Sequence, residues 1–197
     1  MTSPYAAIVL AGGRAARMGG RPKPELVLGG RRLLDRVLDA VDDAAVRVVV
    51  GPPVELPAGV ALTREDPAGG GPVAALAAGL AALGTRPPTQ VVVVAADLPF
   101  LTRDVVRALR TAATVRDGAV LLDADERDQH LLGAWQVAAL HAALAAVSDP
   151  HGAPLHRTLA GLDVQRVSWQ VPPGTAPPWF DCDSVEQLAE AMKWVGT

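Results

Sequence analysis

"QVVVVAAD", residues 90–97, decides the fold. Four consecutive valines are β-branched and apolar at every position, so the run reads as a strand buried on both faces of a sheet. It ends on a carboxylate, Asp97, just ahead of Leu98-Pro99. A core strand that stops on an acid raises the question of what flanks it.

Upstream, "YAAIVLA" (5–11) is a second short apolar run, and it stops at Gly12-Gly13. "RRLLDRVLDAVDDA" (31–44) places Leu33, Leu34, Val37, Leu38 and Val41 on one face, the mark of an amphipathic helix. "VRVVVGPP" (46–53) is another buried strand, ended by its glycine and prolines, and "GVALTRED" gives a short one around 60–63. A glycine loop, 67–72, leads into a helix of small residues over 73–83. Downstream, Thr102 caps a helix to about 113, and "GAVLLD" (118–123) is a strand. Helices are expected near 135–147 and 153–160, then a strand at 163–169. After a proline-rich link over 171–179, Ser184 and Gln187 form the capping box of a last helix. This alternation predicts an α/β domain in three layers, a mainly parallel sheet between helices, spanning 1–197 as one unit. Ligands in such sheets bind beyond the carboxyl ends of the strands. The loops leaving those ends are 12–24, 64–72 and 97–101.

Composition narrows the classes. The chain of 197 residues is 50% hydrophobic and 20% charged, a globular balance. Its net charge of -3 argues against a nucleic-acid partner, which calls for a basic surface. One cysteine, Cys182, excludes an internal disulfide and is expected to pack. "AAIVLA" is too short for a secretory leader and lacks basic residues ahead of it, and no apolar run reaches membrane-spanning length, so a cytoplasmic protein is expected. Among 18 basic residues only Lys23 and Lys193 are lysines, which makes Lys23 conspicuous.

Lys23 lies in "LAGGRAARMGGRPKPEL" (10–26). The glycine spacing fits neither the Walker loop nor the dinucleotide fingerprint. Glycines nevertheless let backbone N–H groups approach an anion, and Arg14, Arg17, Arg21 and Lys23 can offset several charges. The plainer alternative is a solvated basic loop. Asp97 is placed to hold Mg²⁺ against ligand phosphates, or else only to cap the Leu98-Pro99 turn. "REDPAGGGP" (64–72) offers Asp66 and a flexible backbone to a base or ribose, or is a plain glycine turn. Asp181 and Asp183 precede the last helix, where capping alone accounts for them. The four histidines show no ligand spacing; His130 falls in an expected loop, "RDQHLLGAW". The four tryptophans are expected to pack the core and the tail.

"LAGGRAARMGGRPK" resembles the L-A-G-G-x-x-x-R-M-G signature, followed by a lysine, of the sugar-nucleotide-type nucleotidyltransferases, and most nearly the molybdenum cofactor guanylyltransferase family. "EDPAGGGPVAAL", "AADLPFL" and "DCDSVEQLAEA" are similar to further motifs of that family, so the likeness runs from about residue 6 to 192. The resemblance implies a Rossmann-like nucleotidyltransferase domain that joins GTP to a phosphorylated acceptor, molybdopterin, and releases pyrophosphate. It implies that Leu10, Ala11, Gly12, Gly13, Arg14, Asp66 and Gly71 hold the nucleotide. Arg17 and Lys23 act on its phosphates, and Asp97 and Asp183 hold Mg²⁺. It also implies transient contact with molybdoenzyme maturation proteins. Pro22 stands where the family has Asp, Gly51 where it has Asn, and Pro72-Val73-Ala74-Ala75 where it has Pro-Leu-Ala-Gly. "KPEL" after the loop resembles the cytidylyltransferases of the same pterin, so CTP is an alternative to GTP, as is another small phosphorylated acceptor. A nucleotide-binding module without catalysis is the alternative of another class.

Overall fold

The computed structural model describes residues 3–12, 17–18, 21–22 and 25–195. In chain order its strands and helices are β1 (Tyr5–Leu10), β2 (Arg17–Met18), β3 (Arg21–Pro22), β4 (Val27–Leu28), β5 (Arg31–Arg32), α1 (Leu33–Ala40), β6 (Val46–Val50), β7 (Val60–Thr63) and α2 (Gly71–Ala82). There follow β8 (Gln90–Ala95), α3 (Arg103–Ala112), β9 (Gly118–Leu122), β10 (Asp128–Gln136), α4 (Val137–Ala145), α5 (Leu155–Leu159), β11 (Val164–Val167) and α6 (Val185–Val195). Among the described residues the main sheet has seven strands in the order β11-β9-β10-β8-β1-β6-β7.

The valine run sits inside this sheet, as β8, paired parallel with β1 on one side and antiparallel with β10 on the other. Val92 and Val94 face one core layer, with Leu34 and Val37 of α1 and Val105 and Leu109 of α3. Val91 and Val93 face the other, with Leu76 and Leu80 of α2 and Leu140 of α4. Two buried faces need apolar residues at every position, which explains a run without alternation. The pairs β1–β6, β6–β7 and β9–β11 are parallel as well, so the sheet is mainly parallel and layered between helices. The small residues of α2 allow a close helix-to-sheet approach: a Cβ on Gly79 would lie 2.7 Å from Ile8 Cγ2.

Several expected boundaries are corrected. Residues 128–136, expected as a loop running into a helix at 135, form β10, and α4 starts only at Val137. The strand pairs antiparallel with both neighbours, and its register with β9 shifts between Gln129 and Gly133. That irregularity breaks the two-residue alternation by which a strand is read from sequence. Trp135 pairs with Gly118 across the strands and covers it. The first helix starts at Leu33 rather than 31, because Arg31 and Arg32 pair with Leu28 and Val27 in a hairpin. Its turn, Gly29-Gly30, has φ of 57° and 79°, a conformation glycine adopts without steric cost. The strand in 46–53 ends at Val50, before its glycine and prolines as expected, whereas the strand expected at 163–169 spans only Val164–Val167.

A third apolar cluster ties the carboxyl-terminal tail to the segment after the opening loop. Cys182 and Ala191 pack with Leu26, Leu28 and Leu33, all buried. Phe100, Phe180 and Trp194 close over them edge to face, with ring centroids 5.1 to 6.0 Å apart. Cys182 is thus a fully buried packing residue. No helix among the described residues is long and apolar enough to cross a membrane.

Candidate active site

The carboxyl ends of β1, β7 and β8 meet at one edge of the sheet. Because β10 runs antiparallel, with Leu132 opposite Val94, its amino end reaches the same edge. A cavity of about 790 Å³ opens there. Its walls come from elements far apart in sequence.

One wall starts at the end of β1. Leu10 and Gly12 line the cavity, and Ala11 is buried behind them, its N–H donating to Val50 O at 2.7 Å. A Cβ on Gly51 would come within 3.0 to 3.1 Å of Ala11 backbone and side-chain atoms, so the bare glycine lets the two loops pack tightly. Gly13, Arg14 and Lys23, and the Arg17 side chain, lie outside the described residues.

A second wall is the glycine loop and the first turn of α2: Gly69, Gly71, Pro72 and Ala75. Gly69 and Gly71 have φ of 81° and 87°, left-handed values that a side chain would resist. The α2 N-terminus has Pro in its first positions and no side-chain hydrogen bond capping it, so its amide dipoles favour an anion there. Asp66 is exposed and is not among the residues that line the cavity; its neighbour Glu65 is buried and does line it. Glu65 Oε1 accepts the Gly69 N–H at 2.9 Å and so shapes the loop.

Asp97, half-buried, forms the third wall. The Ala96 N–H donates to Leu10 O at 3.0 Å, which carries the β1–β8 pairing up to the acid. The Cys182 N–H donates to Asp97 O at 3.1 Å. With Cys182 anchored in the tail cluster, this bond sets Asp181 and Asp183 on the same cavity as Asp97. Gln187 steadies both: its Oε1 accepts the Asp183 N–H at 2.8 Å and its Nε2 donates to Asp181 at 2.9 Å. Ser184 Oγ caps the helix by accepting the Gln187 N–H at 3.1 Å. The expected capping box is therefore present in half: the glutamine side chain reaches back to residue 183 rather than to Ser184. The Glu186 carboxyl is held below its ordinary range by its own backbone N–H and the Ser184 hydroxyl.

The fourth wall was not foreseen. Gln129 and His130 enter from the amino end of β10, and His151 and His156 from the segment before and within α5. That segment docks on the glycine loop, the Gly152 N–H donating to Gly70 O at 2.7 Å. His130, expected in a loop, lines the cavity, and its Nδ1 is buried without a hydrogen-bond partner among the described residues. Half-buried Trp179 also lines it, whereas Trp135 packs in the core and Trp194 in the tail. No sequence spacing links these residues, since they come from separate elements. Glu65 did leave a signal: a carboxylate four residues ahead of a glycine can close a loop by accepting its N–H.

Glu65, Asp97, Asp181 and Asp183 give the cavity four acidic side chains. Such a surface repels a polyanion unless cations intervene.

Comparison with known proteins follows the same lines. The family model of the MobA-like NTP transferase domain matches residues 7–166. The chain is 33% identical to the molybdenum cofactor guanylyltransferase of Bradyrhizobium sp. (strain ORS 278), over 98% of this chain and 93% of the relative. Its fold is similar to that of molybdopterin-guanine dinucleotide biosynthesis protein A from Archaeoglobus fulgidus, with a TM-score of 0.74 at 20% identity, covering 95% of this chain and 97% of the other. It is also similar to 2-C-methyl-D-erythritol 4-phosphate cytidylyltransferase from Thermus thermophilus, with a TM-score of 0.67 at 22% identity over the whole of both chains.

Proposed function

The chain belongs to the MobA-like NTP transferase family, a nucleotidyltransferase by fold and by relatives, and from that membership we propose that it transfers GMP from GTP to the terminal phosphate of molybdopterin. The observation that carries this reading is the convergence of Asp97, Asp183 and the glycine-lined ends of β1 and α2 on one cavity. A relative named as a guanylyltransferase that aligns over nearly the whole chain favours GTP over CTP. The histidine wall of His130, His151 and His156 offers ring N–H donors to the anionic acceptor. A cytoplasmic location, with transient handover to maturation proteins, follows from the same reading.

The acceptor phosphate is already anionic and needs no general base to attack the α-phosphorus of GTP. The reaction exchanges one P–O bond for another: the new bond joins the acceptor oxygen to the α-phosphorus, and the bond to the β-phosphate oxygen breaks as pyrophosphate leaves. The protein's task is positioning and charge neutralisation. Leu10, Ala11 and Gly12 lay the nucleotide along the end of β1. Arg17 and Lys23 offset the charge that gathers on pyrophosphate. The donor set fits Mg²⁺, which takes oxygen ligands, commonly one or two carboxylates plus substrate phosphates. Asp97 and Asp183 supply that pair, and no larger group of ligating side chains exists among the described residues. When bound, the ion supplies Lewis-acid charge to the phosphate oxygens.

The test is Mg²⁺-dependent pyrophosphate release with GTP or CTP and molybdopterin. Turnover is expected with GTP. Removing one preorganised charge costs about 3 kcal/mol, roughly a hundredfold in rate. Lys23→Ala and Asp97→Ala should each lose at least that much while keeping the fold. Near-normal turnover in either variant refutes the site, and turnover with CTP alone refutes the base.

A further inference from the structure

Glu65 is only 9% exposed, and its carboxylate is asymmetric. Oε1 is occupied by the Gly69 N–H at 2.9 Å. Oε2 is buried and has no hydrogen-bond partner among the described residues. A buried carboxylate oxygen without a donor is costly, so the group calls for a donor from beyond the described residues, and a ligand in the cavity can supply one. Its surroundings define that partner. Glu65 lines the cavity, between the glycine loop it shapes and the end of β1. A Cβ on Gly12 would meet Glu65 Oε1 at 3.9 Å and no other described atom within 4 Å, so the bare Gly12 backbone leaves the space in front of the carboxylate open to the edge of a ligand. The torsion that turns a glutamate carboxylate is broad, and a small rotation presents Oε2 to that space.

We infer that Glu65 is the residue that selects the nucleobase, its carboxylate pairing with two adjacent N–H donors of guanine. This rests on the guanylyl reading above and assigns it to a residue. An ionised carboxylate only accepts hydrogen bonds. Guanine is the base whose pairing edge carries two neighbouring donors, N1–H and the 2-amino group. Cytosine sets an acceptor, N3, beside its amino group, and adenine sets N1 beside its own. Either would press a lone pair against Oε2. Asp66, one position on, is exposed and off the cavity, so it does not fill this role.

The test is equilibrium binding of GTP, ITP, XTP and CTP to the full chain with Mg²⁺ and no acceptor, for the unmodified protein and for Glu65→Gln. The unmodified protein should bind ITP, which lacks the 2-amino group, about ten- to a hundredfold more weakly than GTP. In Glu65→Gln, the amide oxygen keeps the Gly69 N–H and the amide nitrogen takes the place of Oε2. It then faces guanine's donors with donors of its own, and it matches the 2-oxo group of xanthine. The GTP-to-XTP preference should fall at least tenfold, with thermal unfolding unchanged. A carboxylate that only shaped the loop would weaken all four nucleotides together, and that result overturns the inference. So does equal binding of GTP and ITP by the unmodified protein, a result that needs no variant. A protein that prefers GTP to CTP while the variant keeps every ratio overturns the role of Glu65 and leaves the guanylyl reading standing. Equal binding of GTP and CTP by the unmodified protein overturns both.

Discussion

Gly118→Ala probes the strand that delivers the histidine wall. Gly118 of β9 lies opposite Trp135 of β10. A methyl group added there would sit 2.2 Å from Trp135 Cε3, 2.8 Å from Cζ3 and 2.9 Å from Cδ2. Carbon atoms in contact keep about 3.5–4.0 Å, so the overlap exceeds one ångström and must be relieved. Trp135 is 2% exposed and packs among Val91, Val93, Val137 and Leu140, so the ring has no solvent to turn into. Overpacking of this kind costs about 1–3 kcal/mol. The lower backbone entropy of alanine returns about 0.5–1 kcal/mol. A net loss of about 1–2 kcal/mol follows, or roughly 2–8 °C in Tm for a domain of this size. Urea denaturation of Gly118→Ala, Trp135→Leu and the double variant forms a cycle. The smaller side chain makes room for the methyl, so the double variant should be more stable than the sum of the singles predicts. The ring also pins the register of β10, whose amino end carries Gln129 and His130 to the cavity. The acceptor KM should therefore rise in Gly118→Ala while GTP binding holds. A variant as stable as the unmodified protein, or a strictly additive cycle, refutes the pinning.

Other outcomes are expected. His130→Ala should raise the acceptor KM about tenfold, the worth of one hydrogen bond to a charged group, with little change in GTP affinity by calorimetry; a change confined to GTP would place His130 on the wrong side of the cavity. Burial, with the bond to Asp43, pushes the Tyr5 phenol above its ordinary value of 10.0, while Arg110 stacked on its ring opposes this. Because the folded state holds that proton more tightly, the stabilisation is complete below pH 10 and is lost as the pH rises above it, at up to about 1.4 kcal/mol per pH unit. Urea midpoints between pH 9 and 11.5 should show the loss, and Tyr5→Phe should flatten it; an unchanged slope refutes the assignment.

What the sequence disclosed and what it hid have separate causes. Val91–Val94 and the β1 run are legible because two buried faces leave no place for polar residues, so burial is written at every position. Asp97 was found for the same reason, as the first acid after such a run. The β10 strand left no comparable trace. Its alternation is interrupted by the register shift, Gly133 sits mid-strand, and its amino end meets the cavity instead of a packed face. Missing it meant missing His130, since a loop histidine and a strand-end histidine look alike in one dimension. Asp66 and Glu65 differ on a finer scale: the sequence singles out Asp66, and the structure sets its neighbour Glu65 on the cavity lining. Past the end of β7 no hydrogen-bonded ladder fixes which side chain turns inward, and Gly69 settles it by donating to Glu65.

The tail shows how these separate signals make one site. Cys182 looked like packing and is packing, yet its N–H holds Asp97 O, and the acids on either side of it line the cavity. The residues it packs against, Leu26, Leu28 and Leu33, follow the opening loop within ten positions of Lys23. One apolar cluster thus anchors the segment that carries Asp181 and Asp183 and the segment that follows the opening loop together. Positions that read as structural in the sequence are those that bring Asp97 and Asp183 to a common edge. That is why their spacing along the chain, 86 residues apart, carries no pattern of its own.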